Sequence, residues 1–241
     1  MKIAIISDIH GNMEALTQVL TDAQGLSPDQ IVCLGDCIGY GPEPNEVIEA
    51  VRRHNIPSII GNHEMAVLDQ VHLSWFNPKA RKSLEQTLTM LSGASVDFIK
   101  TMPYSRVLSG ARFVHGFPPE SAQIYLFQKS APELRKAFEN LAEPICFVGH
   151  THNLEEIRFD GRQVDRRALP QGITRLDPKC RYIINVGSVG QPRDGNNNAK
   201  YIIWDSDRRF VEVRFVSYNI TATVAKIKAA GLPEAHANRL W

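Results

Sequence analysis

The segment Lys2-Ile-Ala-Ile-Ile-Ser-Asp8-Ile-His10-Gly-Asn12 is an apolar run that ends in Asp8 and His10, two side chains of metal-binding type. The run predicts a buried β-strand over residues 2–6, and the apolar spacing of residues 13–23 predicts a helix that Asn12 can cap. A strand at residues 31–34, a helix at 45–54 and a strand at 58–60 follow. This β-α-β-α-β order is typical of parallel strands with right-handed crossovers.

The same pattern, a predicted strand followed directly by candidate metal ligands, occurs at four more places in the chain. The strands are predicted at residues 31–34, 58–60, 112–114 and 145–148. The segments that follow them are Gly35-Asp36, Gly61-Asn62-His63-Glu64, His115-Gly116 and Gly149-His150-Thr151-His152. In open α/β sheets ligands collect at the carboxyl ends of strands, so we expect two Asp, one Asn and five His on one rim. One metal ion does not need so many ligands, and the pattern indicates a two-metal site that hydrolyses a phosphate ester.

The rest of the chain predicts a mainly helical insert and then a β-rich half. Residues 66–102 have helical periodicity and no strand pattern, and a further helix is predicted at residues 131–141. Short strands are predicted at 105–108, 112–114 and 145–148, then at 155–159, 182–186, 201–204 and 210–216, before a last helix at 220–230. We therefore predict a single α/β domain over residues 1–241. A parallel N-terminal half and an antiparallel C-terminal half would form two packed sheets with helices outside.

Composition restricts the class of function. Hydrophobic residues make up 43% and charged residues 22% of the chain, as in an ordinary globular domain. The net charge of +1, from 27 basic and 26 acidic residues, offers no general excess of positive charge, so we expect no stable nucleic-acid binding. Asp8 and His10 interrupt the N-terminal apolar run, so we expect no secretory signal and no membrane association. The four cysteines form no Cys-x-x-Cys pair, which favours buried thiols in a cytoplasmic protein.

Phosphate-ester hydrolysis by a metal pair has specific ligand requirements. Two divalent ions about 3.5–4 Å apart stabilise both oxygens of an in-line phosphoryl displacement and activate a bridging water. They need nitrogen and oxygen ligands and at least one carboxylate that bridges, a mixture that suits Mn, Fe, Co, Ni or Zn. The side chains that offer such ligands are Asp8, His10, Asp36, Asn62, His115, His150 and His152.

In this order the five motifs resemble the calcineurin-like metallophosphoesterase superfamily, and the likeness extends from Met1 to about Gly195. The resemblance implies a four-layer αββα sandwich of two mixed β-sheets flanked by helices. It also implies two divalent transition-metal ions, with Mn as the first choice and Fe, Zn, Co or Ni as alternatives. By this resemblance, one ion is held by Asp8, His10, Asp36 and His152, and the second by Asp36, Asn62, His115 and His150, with Asp36 bridging.

The same resemblance gives His63 a catalytic role without metal ligation. It implies that a hydroxide bridging the two ions attacks phosphorus while His63 faces the substrate. The imidazole then either protonates the leaving group or stabilises the developing charge, since an imidazole can donate a proton near neutral pH. The chain is therefore expected to be a hydrolase, a phosphodiesterase or phosphatase with a dinuclear metal centre.

Two further segments are similar to a bacterial subgroup of small phosphodiesterases and diadenosine-polyphosphate hydrolases: Gly39-Tyr40-Gly41-Pro42, and the run from Asn185 to Gly195. Serine/threonine phosphoprotein phosphatases have Asp-Arg-Gly at the first of these places, and their Arg contacts the phosphate. Tyr40 stands there instead, which counts against a phosphoprotein. We expect hydrolysis of phosphodiester or phosphoanhydride bonds in small substrates, nucleotides among them.

The sequence allows more than one role for several residues near the motifs. We predict that Tyr40, Ser188 and Arg193 contact the substrate, although residues 187–190 also fit a simple tight turn and Arg193 can pair with a carboxylate. Glu64 can cap a helix, orient a metal ligand or lie in solvent. Trp75 and Phe76 can stack on a nucleobase or pack within the insert. His54, His72 and His236 belong to no motif, and we expect them to be surface or core residues.

Two alternative functions follow from the same sequence. One is a non-catalytic protein-binding module that keeps the fold without its chemistry. Such a scaffold usually lacks a metal ligand or the histidine of the Asn62-His63 pair, and here both are present. The other is a nuclease, which would need a basic groove that the balanced composition does not support. Nothing in the sequence indicates an oligomeric state.

Overall fold

The computed structural model describes all residues, 1–241, as an assembly of two β-sheets and eight α-helices. The strands are Lys2–Ile6 (β1), Gln30–Cys33 (β2), Ser105–Leu108 (β3), Ala111–Val114 (β4), Ile145–Val148 (β5), Leu154–Phe159 (β6), Val164–Ala168 (β7), Gly172–Arg175 (β8), Arg181–Val186 (β9), Ala199–Asp205 (β10) and Phe210–Val216 (β11). The helices are Met13–Gly25 (α1), Pro44–Arg53 (α2), Asn62–Leu68 (α3), Pro78–Met90 (α4), Gly93–Ile99 (α5), Ala131–Asn140 (α6), Ile220–Ala229 (α7) and Glu234–Asn238 (α8). Short 3₁₀ helices cover Gln70–Trp75 and Leu126–Gln128. None of the helices combines the length and the apolar character that a membrane crossing requires.

Both sheets contain parallel and antiparallel pairs. The first has the strand order β2-β1-β10-β11-β8, in which only β1 and β2 are parallel. The second has the order β3-β4-β5-β9-β6-β7, with β4, β5 and β9 parallel at its centre. The expected fold of two mixed sheets is therefore confirmed.

Alternation of side chains along β1 shows how the layers pack. Ile3 and Ile5 lie in the cluster between the sheets, where the Phe147 ring of β5 meets the Trp204 ring of β10 at a centroid distance of 5.2 Å. Ala4 and Ile6 point the other way, toward α1, because successive side chains of a strand face opposite sides. On the outer face of the second sheet, α6 covers a further apolar cluster. The order helix, sheet, sheet, helix is the predicted αββα sandwich.

Two sequence predictions about the strands are wrong, and two strands were not predicted. The two halves of the chain do not form separate sheets, since β1 pairs with β10 across the whole sequence. Residues 58–60 form a single parallel bridge, Cys33 to Ser58, and no strand. Pro57 has no N–H to extend that ladder, and the Ile60 N–H turns away to the carbonyl oxygen of Pro103 at 2.9 Å. The sequence analysis also missed β7 and β8, two polar strands at sheet edges.

The helical segment begins earlier than predicted. Helix α3 starts at Asn62, so three residues of the third motif, Asn62, His63 and Glu64, lie in its first turn and not in a loop before it. The predicted cap of α1 is confirmed, because the Asn12 side chain accepts a hydrogen bond from the N–H of Ala15 at 3.1 Å. Helix α8, close to the C-terminus, was not predicted. The one-domain organisation with an insert at 66–102 stays a prediction.

Candidate metal centre

The carboxyl ends of four strands meet at one rim, as the sequence pattern predicts. Two of these strands, β1 and β2, belong to the first sheet, and the other two, β4 and β5, belong to the second. Eight predicted residues converge there, and each side chain is buried. Three sets have ligand atoms that all lie within 4.8 Å of one another. These sets are Asp8 with His10 and His152, Asp36 with His115 and His150, and His10 with Asp36 and His63.

The backbone at this rim adopts a conformation that side chains rarely tolerate. Ten non-glycine residues of the chain have positive φ, and six of them lie at the site: Asp8, His10, Asp36, Tyr40, His150 and His152, with φ from 51° to 67°. A non-glycine residue in this region is uncommon and costs on the order of 1–3 kcal/mol when the surrounding structure holds it there. The concentration at one rim indicates that the loops are shaped for function.

Asp8, His10 and His152 direct ligand atoms toward one another. The Nδ1 atoms of His10 and His152 lie within hydrogen-bond distance of the carbonyl oxygens of Ile38 and Gln191. A carbonyl oxygen only accepts, so each Nδ1 donates and each ring directs its Nε2 atom inward. The two Nε2 atoms are 3.1 Å apart, and Asp8 Oδ1, buried without a hydrogen-bond partner, is 3.2 Å from that of His152. A cation satisfies such a cluster of acceptors, so these residues fit a metal ion.

His115 presents its ring in the same manner in the second set. Its Nδ1 donates to the carbonyl oxygen of Leu34 at 2.7 Å. Its Nε2 lies 3.1 Å from Asn62 Oδ1 and 3.3 Å from Asp36 Oδ2. Burial lowers the pKa of His115, but the Asp36 carboxylate outweighs it and raises the pKa to about 10. A proton on this Nε2 and a metal ion are therefore alternatives, and metal binding there releases the proton.

His150 uses its other nitrogen. Its Nε2 lies 3.1 Å from the carbonyl oxygen of Gln123 and donates to it, so the Nδ1 lone pair faces Asp36 and His115. The ring of Tyr125 stacks on His150 at a centroid distance of 3.8 Å and fixes the orientation of the imidazole. Burial lowers the pKa of His150 to about 3, which keeps the ring neutral and able to bind a metal.

Asp36 lies between the two sets, and one of its oxygens faces both. Its Oδ1 accepts a hydrogen bond from the backbone N–H of His63 at 3.0 Å. Its Oδ2 lies 3.3 Å from His115 Nε2 and 3.8 Å from both His10 Nε2 and His63 Nε2. Burial would raise the pKa of Asp36, but the neighbouring imidazoles, His115 first, hold it well below its usual range. The carboxylate is therefore ionised and placed to be shared.

Glu64, which the sequence left with three readings, is fully buried and holds the Asp36 loop. Its two oxygens accept from the backbone N–H groups of Asp36 and Cys37 at 2.8 Å each, and from that of Ile38 at 3.3 Å. It also accepts from the N–H of Gly61 at 2.9 Å, which caps α3 as the sequence favoured. Burial, together with the charge of Asp36, raises the pKa of Glu64 to about 7. The solvated reading of Glu64 is wrong.

Replacing Glu64 with Gln is expected to lower both stability and metal affinity. An amide has one acceptor oxygen, and its NH₂ group would meet backbone N–H donors that need acceptors. Loss of such a supporting partner typically weakens metal binding by roughly 10- to 100-fold. Thermal unfolding and metal titration measure the two effects, with the exposed Glu49→Gln as control. Unchanged metal affinity in Glu64→Gln would contradict this role.

The loop of His150 and His152 is held by residues that sequence reasoning did not assign to the site. The Asn185 amide donates to the carbonyl oxygen of Gly149 at 2.7 Å and to Thr151 Oγ1 at 2.8 Å. A Cβ on Gly149 would lie 2.6 Å from Asp8 Oδ2, so only glycine permits this approach. Asn185 lies in the run from Asn185 to Gly195 that resembles the family subgroup. The spacing of residues in that run does not show which parts of the fold Asn185 contacts.

The three predicted substrate contacts lie in different settings. Ser188 is fully buried, and its hydroxyl donates to the carbonyl oxygen of Asp8 at 2.8 Å, so it supports a loop and does not face a ligand. Tyr40 packs against the rings of His10 and His63 at 4.5 and 4.6 Å, and burial raises its pKa to about 12 against the opposing charge of Arg193. Arg193 is half-buried, and its Nε has no partner within the protein. Of the three, Tyr40 borders a cleft that reaches Asn62 and His150, whereas Arg193 lines a hollow with Arg239 and Trp241.

Comparison with known proteins agrees with this geometry. The family model of the calcineurin-like phosphoesterase superfamily domain matches residues 1–209. The chain belongs to the calcineurin-like phosphoesterase superfamily. The resemblance read from the five motifs is thereby confirmed, and so is the expectation that the chain is a hydrolase of phosphoesters. With its Asp and His clusters, this phosphoesterase is suited to divalent metal ions.

Three relatives illustrate the similarity. A crystal structure of a metallophosphoesterase from Sphaerobacter thermophilus has 39% identity and a TM-score of 0.86, covering 100% of this chain and 98% of its own. An uncharacterized protein of Methanocaldococcus jannaschii is 37% identical over 99% of this phosphoesterase and 97% of its own length. A symmetrical bis(5'-nucleosyl)-tetraphosphatase of Paracidovorax citrulli is 31% identical over 73% of this chain and 66% of its own.

Proposed function

We propose that this phosphoesterase is a dinuclear metal-dependent hydrolase of phosphodiester or phosphoanhydride bonds in small, nucleotide-type substrates. The observation that carries the proposal is the position of Asp36 Oδ2, which faces His115 on one side and His10 on the other. A single carboxylate oxygen shared by two sets of ligands is the feature that a two-metal site requires.

We assign the ligands of the two ions as the family resemblance implies, and the sets of converging atoms support the assignment. One ion would be held by Asp8, His10, Asp36 and His152, and the other by Asp36, Asn62, His115 and His150. When bound, the ion pair would supply positive charge to the reacting phosphoryl group and a source of nucleophilic water near neutral pH. Mixed imidazole and oxygen ligation suits Mn, our first choice, as well as Fe, Co, Ni and Zn.

The remaining residues of the rim position and neutralise the substrate. His63 lies beside Asp36 with its Nε2 3.8 Å from Oδ2, and we propose that it assists departure of the leaving group. Burial lowers the pKa of His63 to about 4, and an anionic phosphate beside the ring would favour its charged form. We also propose that Arg193, whose Nη2 donates to Gln191 Oε1 at 3.0 Å and whose Nε has no partner in the protein, pairs with a phosphate oxygen. Tyr40 would line the space between them.

The substrate class rests on two supports. Tyr40 stands where phosphoprotein phosphatases have an arginine, so we expect a preference for an activated diester or a nucleotide anhydride over a phosphopeptide. The similarity to the symmetrical bis(5'-nucleosyl)-tetraphosphatase of Paracidovorax citrulli favours the same class.

Metal removal and restoration test the proposed function. We expect the purified protein to bind two divalent ions per chain, to lose turnover of bis(4-nitrophenyl) phosphate on chelation, and to regain it with added Mn²⁺. The rates with Fe, Co, Ni and Zn would then rank the ions. A panel of phosphomonoesters, diesters, dinucleoside polyphosphates and phosphopeptides defines the substrate class. One ion or none per chain after reconstitution, with unchanged turnover, would contradict the dinuclear assignment. Selective phosphopeptide hydrolysis would contradict the substrate class.

A further inference from the structure

A cleft of about 210 Å³ opens beside the proposed metal ligands and has no role in the chemistry described so far. Its inner end reaches Asn62 and His150. The other residues that line it are Tyr40, Trp75, Phe76, Asn77, Ala80, Gln123 and Tyr125. Sites that enclose drug-sized ligands measure about 300–1,000 Å³, so this cleft accepts one ring system and not a whole dinucleotide or a peptide.

The walls of the cleft are aromatic and are fixed by contacts with the site. Phe76 meets the His63 ring edge-on at a centroid distance of 4.9 Å. Tyr125 stacks on His150 at 3.8 Å and on Phe127 at 5.0 Å, so it forms a fixed aromatic wall that begins at a proposed ligand. Trp75 is 48% exposed; the His72 ring packs on it at a centroid distance of 3.9 Å, which leaves the opposite face for a planar group. These contacts place flat apolar surfaces within reach of a group leaving the phosphorus.

The polar groups of the cleft are amides without formal charge. Asn77 uses its Oδ1 to cap α4 through the N–H groups of Lys79 and Ala80, which leaves its NH₂ group unpaired within the protein. The Gln123 amide makes only one weak contact, to Met65 Sδ at 4.0 Å. No lysine, arginine, aspartate or glutamate lines the cleft. An occupant with a flat face and edge donors and acceptors, but no charge, matches such a surface.

We propose that this cleft binds the nucleobase of the leaving nucleoside or nucleotide, with Trp75 as its stacking surface and Tyr125 as an aromatic wall. The proposal rests on the proposed function, since it places the base beside the phosphorus that the metal site holds. A phenyl group would fill the stacking surface and leave both amides unused. A base uses both, because each base has a π-face and hydrogen-bonding edges.

Binding of adenosine 5'-monophosphate and ribose 5-phosphate to the Mn-loaded protein tests this inference by calorimetry, without turnover. The two probes share sugar and phosphate and differ only in the base. We expect the adenosine compound to bind about tenfold more tightly, the order of effect of one stacked base. Trp75→Ala should reduce that ratio to near one, and Trp75→Phe should keep part of it. Tyr104→Ala is the control, because this aromatic residue is 49% exposed, similar to Trp75, and does not line the cleft.

Three results would overturn the inference. They are equal binding of the two probes by the unaltered protein, a ratio unchanged in Trp75→Ala, and binding of phenyl phosphate as tight as that of the adenosine compound. Each can occur in a protein that hydrolyses bis(4-nitrophenyl) phosphate with metal, and the proposed function would then stand while the base site falls. Absence of all metal-dependent hydrolysis would instead contradict the proposed function.

Discussion

Asp36→Asn is expected to abolish most of the activity and to reduce the binding of both metal ions. Its effect should exceed the roughly 10- to 100-fold loss that follows removal of an outer hydrogen-bond partner at a metal site. The physical reason is the shared oxygen: Oδ2 lies 3.3 Å from His115 Nε2 and 3.8 Å from His10 Nε2, so its charge serves both sets of ligands. An amide cannot bring that charge, and its NH₂ group would repel a cation.

Metal content per chain and kcat/KM with bis(4-nitrophenyl) phosphate measure this effect. Asp97→Asn is the matched control, because Asp97 makes only an exposed ion pair with Lys100 at 2.9 Å. His152→Ala provides the comparison within the site, since His152 belongs to one set of ligands and should weaken one ion more than the other. If Asp36→Asn keeps near-normal activity and both ions, the bridging assignment is wrong.

The sequence predicts the position of the site because strand ends and metal ligands are both local features. The apolar run before Asp8 alternates between two packed layers, and the polar residues begin where that run leaves the sheet. The same reasoning holds before Asp36, His115 and His150, whose loops the sheet order then brings together. Local patterns therefore suffice when the carboxyl ends of the strands share a rim.

Pairing over long distances and the supporting contacts were not predictable in this way. The pairing of β1 with β10 joins residues about 200 positions apart, and no periodicity in either strand specifies its partner. Strand β7 is charged and largely exposed at a sheet edge, so it lacks the apolar signal of a buried strand. Glu64 accepts hydrogen bonds from four N–H groups, three in the Asp36 loop and one at Gly61. Only folding brings these groups to one carboxylate.

The contact between the C-terminal residues and the site was also not predictable from the sequence. His236 was read as a surface or core residue, and it is buried. Its ring packs against Tyr40 at a centroid distance of 4.6 Å, while Tyr40 contacts His10 at 4.5 Å. Helix α8 therefore supports the wall of the site from outside the region that matches the family.

His63→Ala is expected to retain both metal ions while kcat falls by roughly 10²–10⁴-fold, the usual contribution of a positioned acid. The ring is buried between Tyr40 and Phe76, at centroid distances of 4.6 and 4.9 Å, so these contacts fix its direction toward the site. Its Nδ1 has no hydrogen-bond partner in the protein. The exposed His54→Ala is the control for loss of an imidazole elsewhere.

The dependence on the leaving group separates the roles that His63 can play. If the imidazole protonates the departing oxygen, the penalty in His63→Ala should be large for alkyl and nucleoside esters and small for nitrophenyl esters. A nitrophenolate needs little protonation, so the acid contributes less to its departure. An equal penalty across the series would instead assign His63 to stabilisation of charge in the transition state. Loss of metal from His63→Ala would make it a ligand, since its ring nitrogen also lies within 4.8 Å of ligand atoms of His10 and Asp36. We expect the steep dependence with full metal content, because an anionic phosphate beside the buried ring would oppose the burial that lowers the pKa of His63 to about 4, and would favour the protonated imidazole that an acid requires.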